Sequence, residues 1–424
     1  MERVRMNKML VRGGSQLYGE VNISSAKNAI LPIIAATILS SDTCIIENAP
    51  MLRDVFVICD VLKTINAKID INNIENKIII DTSDLVSEEP DGDLVRKMRA
   101  SFLIMGPMIA RYKKFKISFP GGCNIGTRPI DLHLKGFASL GAQVSFGHGY
   151  VEAYANKLIG SRIYLDFPSV GATENIMMAA VLAEGETVIE NAASEPEVED
   201  LANFLKKMGA QIYGAGTDNI RIIGVKELKG IKYRPIPDRI EAGTFMAAAA
   251  ITKSRIRLNG VNEEHLKPII AKLVEVGAIV LPDSDGIIID GKNKFNPIDI
   301  KTMPYPGFPT DMQAQMMSLL CTVHGTSLIT ETIFENRFMH ASELEKMGAN
   351  IKINGRCAIV EGVDMLTGSE VKATDLRAGA ALIIAGLVAD GYTKIRDVYH
   401  IDRGYVNIEE KFKLLGANIE RIEE

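Results

Sequence analysis

A short phrase centred on glycine, or once on asparagine, recurs six times along the chain, each time at the end of an amphipathic segment. Its copies are INAKI from Ile65, LGAQV from Leu140, MGAQI from Met208, VGAIV from Val276, MGANI from Met347 and LGANI from Leu415. Successive copies lie about 70 residues apart, and a fixed period of this kind is the signature of a repeated structural unit. The fold must therefore be one that six similar units can build together.

The copy in EVEDLANFLKKMGAQI shows what the phrase does. Leu201, Leu205 and Met208 fall at positions i, i+4 and i+7, on one face of a helix. Gly209 then supplies the left-handed residue with which many helices end, and a strand follows. In the first copy Asn66 takes this place, and asparagine is the usual substitute for glycine in that conformation.

Most units also carry an earlier helix of small residues that leads into a strand, as in AAVLAEGETVIE and MAAAAITKSRIRLNG. Such helices are typical of faces that pack closely on a sheet, so each unit is predicted to hold two helices and several strands. Because 424 residues exceed what a single core usually contains, six units divide most simply into two α/β domains of three. A ligand is expected in the cleft between such domains.

Composition excludes several classes of protein. No apolar run approaches the roughly 18 residues of a membrane span and the first residues lack the apolar centre of a signal peptide, so we expect a cytoplasmic protein. A net charge of −5 argues against a general nucleic-acid binder. The five cysteines and six histidines show no metal-ligand spacing, which indicates reduced thiols and neither disulfides nor a metal.

The segment FPGGCNIGTRPIDLH places Cys123 on a glycine-rich loop beside Arg128. A guanidinium near a thiol favours the thiolate, and glycines allow a loop to move, so this cysteine is a candidate for chemistry on a mobile lid. The residues alone also allow a structural cysteine in a turn. Its polar setting distinguishes it from Cys44, Cys59 and Cys321, whose neighbours are apolar.

Eight motifs together resemble the UDP-N-acetylglucosamine 1-carboxyvinyltransferase (enolpyruvyl transferase) family of the EPSP synthase superfamily. In chain order they are GGSQLYGEVNISSAKNAILPI, PGGCNIGTRPIDLH, DFPSVGATENIMMAA, PIPDRIEAGTF, GFPTDMQAQ, TIFENRFMH, TDLRAGAAL and YHIDRGY. The resemblance covers essentially the whole chain. It implies a two-domain inside-out α/β barrel, each domain having three β-α-β-α-β-β repeats around a pseudo-threefold axis. It also implies an N-terminal domain of residues 21–235 and a discontinuous C-terminal domain of residues 1–20 and 236–424.

The resemblance further implies a reaction. The enolpyruvyl group of phosphoenolpyruvate would pass to the 3-hydroxyl of UDP-N-acetylglucosamine by addition and elimination through a tetrahedral intermediate, with release of phosphate. This is the first committed step of peptidoglycan synthesis, and so serves cell-wall biogenesis, cell shape and cell division. No metal or organic cofactor is implied, and no nucleic-acid or membrane partner.

Site residues are carried over from the family by motif. Cys123 would protonate phosphoenolpyruvate and can become a phospholactoyl (pyruvate) adduct, Asp311 would take the proton of the sugar hydroxyl, and Lys27 and Arg403 would also be catalytic. The phosphoenolpyruvate contacts would be Lys27, Asn28, Arg99, Arg128, Arg377 and Arg403. The nucleotide-sugar contacts would be Asn28, Arg99, Arg128, Pro129, Asp131, Leu132, Ser169, Val170, Gly171, Asp311 and Ile333.

The local sequence adds two expectations about the start of the chain. If Asn28 caps a helix, Pro32 falls in its first turn and Lys27 stands at its positive end, a natural anion site. Ser25 replaces the glycine that the family usually has before its AKN motif.

Two alternatives stay open. The first is the shikimate-pathway enolpyruvyl transferase, from which the cysteine loop and FPSVGAT both point away. The second is a catalytically weak paralogue that binds nucleotide sugar and serves in regulation.

Overall fold

A computed structural model of the protein describes residues 7–86, 89–119, 126 and 130–423. Its α-helices are α1 Lys27–Ala36, α2 Arg53–Thr64, α3 Gly92–Lys97, α4 Met105–Tyr112, α5 Asp131–Ser139, α6 Val170–Ala180, α7 Pro196–Met208, α8 Arg239–Ile251, α9 Glu263–Val276, α10 Gln313–Leu320, α11 Ala341–Lys346, α12 Leu376–Gly386 and α13 Ile408–Leu414. Short 3-10 helices span Thr37–Leu39, Arg99–Ile104, Thr310–Met312 and Val398–Arg403.

The strands are mostly of five or six residues. They are β1 Asn7–Arg12, β2 Glu20–Asn22, β3 Cys44–Ile46, β4 Lys68–Asn72, β5 Lys77–Asp81, β6 Lys114–Ser118, β7 Gln143–Gly147, β8 Tyr150–Tyr154, β9 Arg162–Tyr164, β10 Glu186–Glu190, β11 Gln211–Tyr213, β12 Asn219–Ile223, β13 Lys232–Tyr233, β14 Arg255–Asn259, β15 Ile279–Asp283, β16 Gly286–Asp290, β17 Ile300–Lys301, β18 Thr326–Thr330, β19 Asn350–Asn354, β20 Cys357–Glu361, β21 Glu370–Lys372, β22 Tyr392–Arg396 and β23 Asn418–Glu423.

The chain forms two compact units. One contains residues 7–24 and 237–423, and the other contains most of residues 25–236. The chain thus passes between units after Ser24 and after Ile236. The boundaries that the family resemblance implies, at residues 20 and 235, stay a prediction.

In the part of the chain that the structure describes, the strands form six sheets with a common plan, three in each unit. The orders are β21-β22-β1-β23, β15-β16-β14-β2 and β17-β18-β20-β19 in the discontinuous unit, and β13-β3-β5-β4, β11-β12-β10-β9 and β6-β8-β7 in the other. In each four-stranded sheet one short edge strand runs parallel to its neighbour and the remaining pairs are antiparallel. Within the described residues the sixth sheet has three strands, all antiparallel.

A short edge strand precedes each of the two points at which the chain passes from one unit to the other. Strand β2 pairs in parallel with β14 before the chain enters α1, and β13 pairs in parallel with β3 before the chain enters α8. Strand β1, near the start of the chain, lies between β22 and β23 and completes the sheet formed by the end of the chain. The discontinuous unit is therefore closed by hydrogen bonds between residues about 400 positions apart.

The recurring phrase has the predicted geometry. Gly209 ends α7 with φ of 115°, and Asn66, which follows α2, has φ of 72°. The glycines of the other four phrases, Gly141, Gly277, Gly348 and Gly416, also have positive φ. Each amphipathic helix is thus ended by a left-handed residue, and a strand of a sheet follows.

The helices of small residues lie inside. Every residue of α8 and α10 is buried, and so is every residue of α12 except Leu376. These three helices pack on one another, and a helix apolar on all sides must lie in a core. The strands alternate buried and exposed residues, so each sheet covers the helices with one face and meets solvent with the other. No helix in the described part of the chain is long and apolar enough to cross a membrane.

Candidate active site

Lys27 is the first residue of α1 and is buried to 7% exposure. Its ammonium Nζ lies 2.8 Å from Oδ2 of Asp54, a residue of α2 that is 2% exposed. A buried carboxylate thus fixes this ammonium at the positive end of a ten-residue helix. The sequence reasoning selected Lys27 but did not find its partner Asp54.

The expected capping role of Asn28 is wrong. The N-cap of α1 is Ala26, which makes no side-chain capping bond, and Asn28 is the second residue of the helix. Pro32 consequently lies inside α1, beyond its first turn. The exposed side chain of Asn28 projects from the amino-terminal turn, where it stays a candidate ligand contact.

Ser25 fits its position without strain. Its hydroxyl donates to the carbonyl oxygen of Pro235 at 3.4 Å and accepts from Nδ2 of Asn48 at 3.0 Å. The residues with positive φ do not include it, so the backbone here does not demand glycine.

Ser169, Val170 and Gly171 form the start of α6. Ser169 is the N-cap, and its hydroxyl accepts from the backbone amide of Ala172 at 3.4 Å. All three are only partly buried, although the following helix is buried throughout. These three residues are thus partly accessible at a helix amino terminus, a position at which anions can bind.

Arg99, His133, Asn175 and Gly171 form a second group in this unit, which we call the Arg99 cluster. Nδ2 of Asn175 lies 2.8 Å from Nδ1 of His133, and Oδ1 of Asn175 accepts from the amide of Gly106 at 2.8 Å. Burial, and then the charge of Arg99, lower the pKa of His133 to about 4, so the imidazole is neutral at neutral pH.

The Arg99 cluster also borders the start of α6. A Cβ on Gly171 would come within 3.2 Å of Cε1 of His133, so this glycine allows the helix start and the imidazole to approach each other. Asp131, which is exposed, and Leu132, which is partly buried, precede His133 at the start of α5. His133 lies within the motif PGGCNIGTRPIDLH but was not among the predicted site residues.

Asp311 lies in the 3-10 helix Thr310–Met312 and is held by two buried arginines. Its Oδ1 accepts from Nη2 of Arg337 at 2.8 Å. Its Oδ2 accepts from Nη2 and Nε of Arg377 at 3.0 and 3.2 Å. The side chain of Asp311 is 25% exposed, whereas those of Arg337 and Arg377 are 3% and 2% exposed. The Asp311 side chain is thus partly accessible to solvent, while its charge is compensated by two buried guanidinium groups.

A hydrogen-bonded network supports this carboxylate. Nε2 of Gln315 donates to the main-chain oxygen of Asp311 at 2.9 Å and to the hydroxyl of Tyr405 at 3.3 Å. The guanidinium of Arg377 lies over the ring of Tyr405 at 5.3 Å from its centroid. Burial alone would lower the pKa of Arg377, but the negative charge of Asp311 and the neighbouring Tyr405 raise it above its ordinary value. Arg337, Gln315 and Tyr405 lie in motifs that carry the family resemblance, but they were not among the predicted site residues.

Ile333 follows β18, and its backbone amide donates to Oε1 of the buried Glu331 at 2.8 Å. Arg403 is partly buried at the end of the 3-10 helix Val398–Arg403. Burial and then the charge of Arg403 lower the pKa of the neighbouring His400. The predicted residues Cys123, Arg128 and Pro129 lie outside the described residues.

A family model for EPSP synthase (3-phosphoshikimate 1-carboxyvinyltransferase) matches residues 11–412. Among solved structures, the enolpyruvyl transferase NikO from Streptomyces tendae has a TM-score of 0.90 at 24% identity and covers 99% of this chain and 100% of its own. EPSP synthase from Acinetobacter baumannii has a TM-score of 0.76 at 18% identity, covering 98% of this chain and 100% of its own. The fold is therefore that of the enolpyruvyl transferases, and the predicted fold class is confirmed.

Relatives in sequence identify the family of this chain within the enolpyruvyl transferases. UDP-N-acetylglucosamine 1-carboxyvinyltransferase 2 of Clostridium tetani is 69% identical over 417 residues, 98% of this chain and 100% of the relative. The enzyme numbered 1 in Caldanaerobacter subterraneus is 60% identical over 414 residues, 98% of this chain and 99% of the relative. The chain belongs to the UDP-N-acetylglucosamine 1-carboxyvinyltransferase family, as its motifs predict.

Proposed function

We propose that this protein transfers the enolpyruvyl group of phosphoenolpyruvate to the 3-hydroxyl of UDP-N-acetylglucosamine, releases phosphate and so begins peptidoglycan synthesis. The observation that carries the proposal is the partly exposed carboxylate of Asp311, held by the buried Arg337 and Arg377. It occurs in a chain whose relatives bear the name of this activity over their whole length. The cytoplasm is the proposed place of action.

Asp311 is proposed to take the proton of the sugar hydroxyl. Two guanidinium groups stabilise its ionised form and weaken it as a base. A bound phosphate or carboxylate group would offset part of their positive charge, and the proton affinity of Asp311 would then rise when the second substrate is present. The same arginines cannot lose their protons at any working pH, which suits them to hold anionic groups throughout the reaction.

Lys27 and the start of α6 supply cationic and amide groups for anionic substrates. The ammonium of Lys27 is kept in place by Asp54, so it is ordered before a ligand arrives. The amides at Ser169, Val170 and Gly171 are proposed to hold the diphosphate, as amides at a helix amino terminus can. The contacts predicted for Asn28, Arg99, Asp131, Leu132, Arg403 and Ile333 belong to the same proposal.

Cys123 is proposed to complete the chemistry. In the addition step its thiol gives a proton to the methylene carbon of phosphoenolpyruvate while the sugar oxygen bonds to the neighbouring carbon. In the elimination step that methyl group returns a proton as phosphate leaves. Arg128 and Pro129 accompany it in the motif, and Arg128 is proposed to bind phosphate.

The product identifies the activity directly. We expect incubation with phosphoenolpyruvate and UDP-N-acetylglucosamine to give a nucleotide sugar with vinyl proton resonances and an enol ether on the sugar 3-oxygen. A product formed from shikimate 3-phosphate and not from the nucleotide sugar would instead assign the shikimate-pathway reaction. An epoxide phosphonate that mimics phosphoenolpyruvate should label the wild type and not Cys123→Ala, and equal labelling of both would exclude the thiol role.

A further inference from the structure

Glu331 is a buried carboxylate, 1% exposed, that follows β18. Glu331 directly precedes the Thr332–Ile333 segment and was not among the predicted site residues. Four donors from three separate segments converge on it. An isolated ionised carboxylate would be costly at such a depth, so this degree of compensation marks a built interaction.

Oxygen Oε1 orders the segment after β18. It accepts from the backbone amide of Ile333 at 2.8 Å and from that of Phe334 at 3.2 Å. It also accepts from the hydroxyl of Thr302 at 2.9 Å, and the oxygen of that hydroxyl accepts from the amide of Thr332 at 2.9 Å. The main chain from Thr332 to Phe334 is thereby fixed against the residue that follows β17.

Oxygen Oε2 orders the segment that carries Asp311. It accepts from the hydroxyl of Thr310 at 2.8 Å. Thr310 is the first residue of the 3-10 helix Thr310–Met312, and Asp311 is the second. The two oxygens of one side chain therefore connect the main chain at Ile333 to the turn that holds the carboxylate of Asp311.

We infer that Glu331 is a positioning residue that sets the spacing between the main chain at Ile333 and the carboxylate of Asp311. This inference rests on the proposed function, in which Ile333 contacts the amino sugar and Asp311 accepts the proton of its 3-hydroxyl. Glu331 acts through its neighbours and does not touch substrate. Its Oε1 controls how the sugar is bound, and its Oε2 controls where the base lies.

Two variants separate these effects. Glu331→Gln replaces charge-assisted bonds to the Ile333 and Phe334 amides by neutral ones, so KM for UDP-N-acetylglucosamine should rise about tenfold and kcat should fall. Thr310→Val removes only the bond to Oε2, so kcat should fall about tenfold while KM for the nucleotide sugar stays within about twofold. Thr310→Ser restores the hydroxyl and should recover kcat.

A matched control is Glu343→Gln in the same unit. Glu343 is 7% exposed and accepts from the backbone amide of Lys372 at 3.0 Å and from Lys346 at 2.8 Å. It should lose stability comparably to Glu331→Gln, with both kinetic constants unchanged. A purely structural role of Glu331 would give the two variants the same kinetic behaviour.

Amide hydrogen exchange provides a readout that does not depend on turnover. Exchange at Ile333 and Phe334 should be faster in Glu331→Gln than in the wild type and unchanged in Glu343→Gln. Wild-type inactivity with UDP-N-acetylglucosamine would refute the proposed function, whereas faster exchange would still support the ordering by Glu331. Unchanged exchange together with unchanged KM and kcat in Glu331→Gln would overturn the inference.

Discussion

The variant Asp311→Asn tests how the two buried arginines depend on one carboxylate. Asparagine has the same shape and can accept one of the arginine hydrogen bonds, but it removes the carboxylate charge that pairs with Arg337 and Arg377. Removing one partner of a fully buried ion pair costs about 3–5 kcal/mol. Because the Asp311 side chain is 25% exposed and one acceptor remains, we expect the free energy of unfolding to fall by about 2 kcal/mol.

The matched control is Asp397→Asn. The Asp397 side chain is 23% exposed, close to that of Asp311, but its partner Lys372 is 59% exposed at 3.2 Å. An exposed pair of this kind contributes less than about 1 kcal/mol. The two variants therefore make the same chemical change at nearly equal exposure of the side chain, and they differ in the number and the burial of the cations.

Urea unfolding of both variants measures the difference, with the slope of the transition compared to confirm that the midpoints report stability. In the same preparations kcat of Asp311→Asn should fall by about a hundredfold or more because the proton acceptor is lost, whereas kcat of Asp397→Asn should be that of the wild type. Equal midpoints for the two variants would refute the argument from burial, and wild-type kcat in Asp311→Asn would refute its role as base.

Three further predictions concern other parts of the molecule. Lys27→Met should lower kcat/KM for phosphoenolpyruvate by roughly fiftyfold. Adding Asp54→Leu should recover stability but not activity, because it removes the buried carboxylate left without its partner. Recovery of both stability and activity would show that Lys27 is only structural. Burial lowers the pKa of His340 from 6.5 to about 4, so stability should be lost as pH falls from about 6.5 to 4, by up to about 3 kcal/mol. Urea unfolding of His340→Leu should show a smaller loss over that range, since His133, whose pKa is also lowered to about 4, keeps its own contribution; an unchanged pH slope would contradict the prediction. Gly209→Ala should cost about 1 kcal/mol in the same assay because φ is 115° there, whereas Gly209→Asn should cost less; equal losses would rule out backbone strain as the cause.

The repeats and much of the fold could be predicted from the sequence because their signals are local. The residue that ends each amphipathic helix, such as Gly209 or Asn66, must adopt positive φ, and the phrase around it recurs with each unit. The buried helices α8 and α12 are similarly evident from their small residues. The sequence did not show that β1 lies between β22 and β23, since that pairing joins opposite ends of the chain.

The site could be predicted only residue by residue. Lys27 and Asp311 were found through their motifs, but Asp54 and Arg337, which hold them, were not. Such partners are chosen by tertiary packing and leave no spacing rule in the chain. The cap expected at Asn28 was wrong. The N-cap is Ala26, two residues earlier, and it makes no side-chain capping bond, so Asn28 lies within the first turn of the helix.

Phosphate release from phosphoenolpyruvate is the most direct measurement of the central claim. It should be followed with UDP-N-acetylglucosamine and with shikimate 3-phosphate as alternative acceptors, in parallel. We predict release with the nucleotide sugar alone, and its suppression in Asp311→Asn. Folded protein that binds the nucleotide sugar but releases no phosphate with either acceptor would contradict the account.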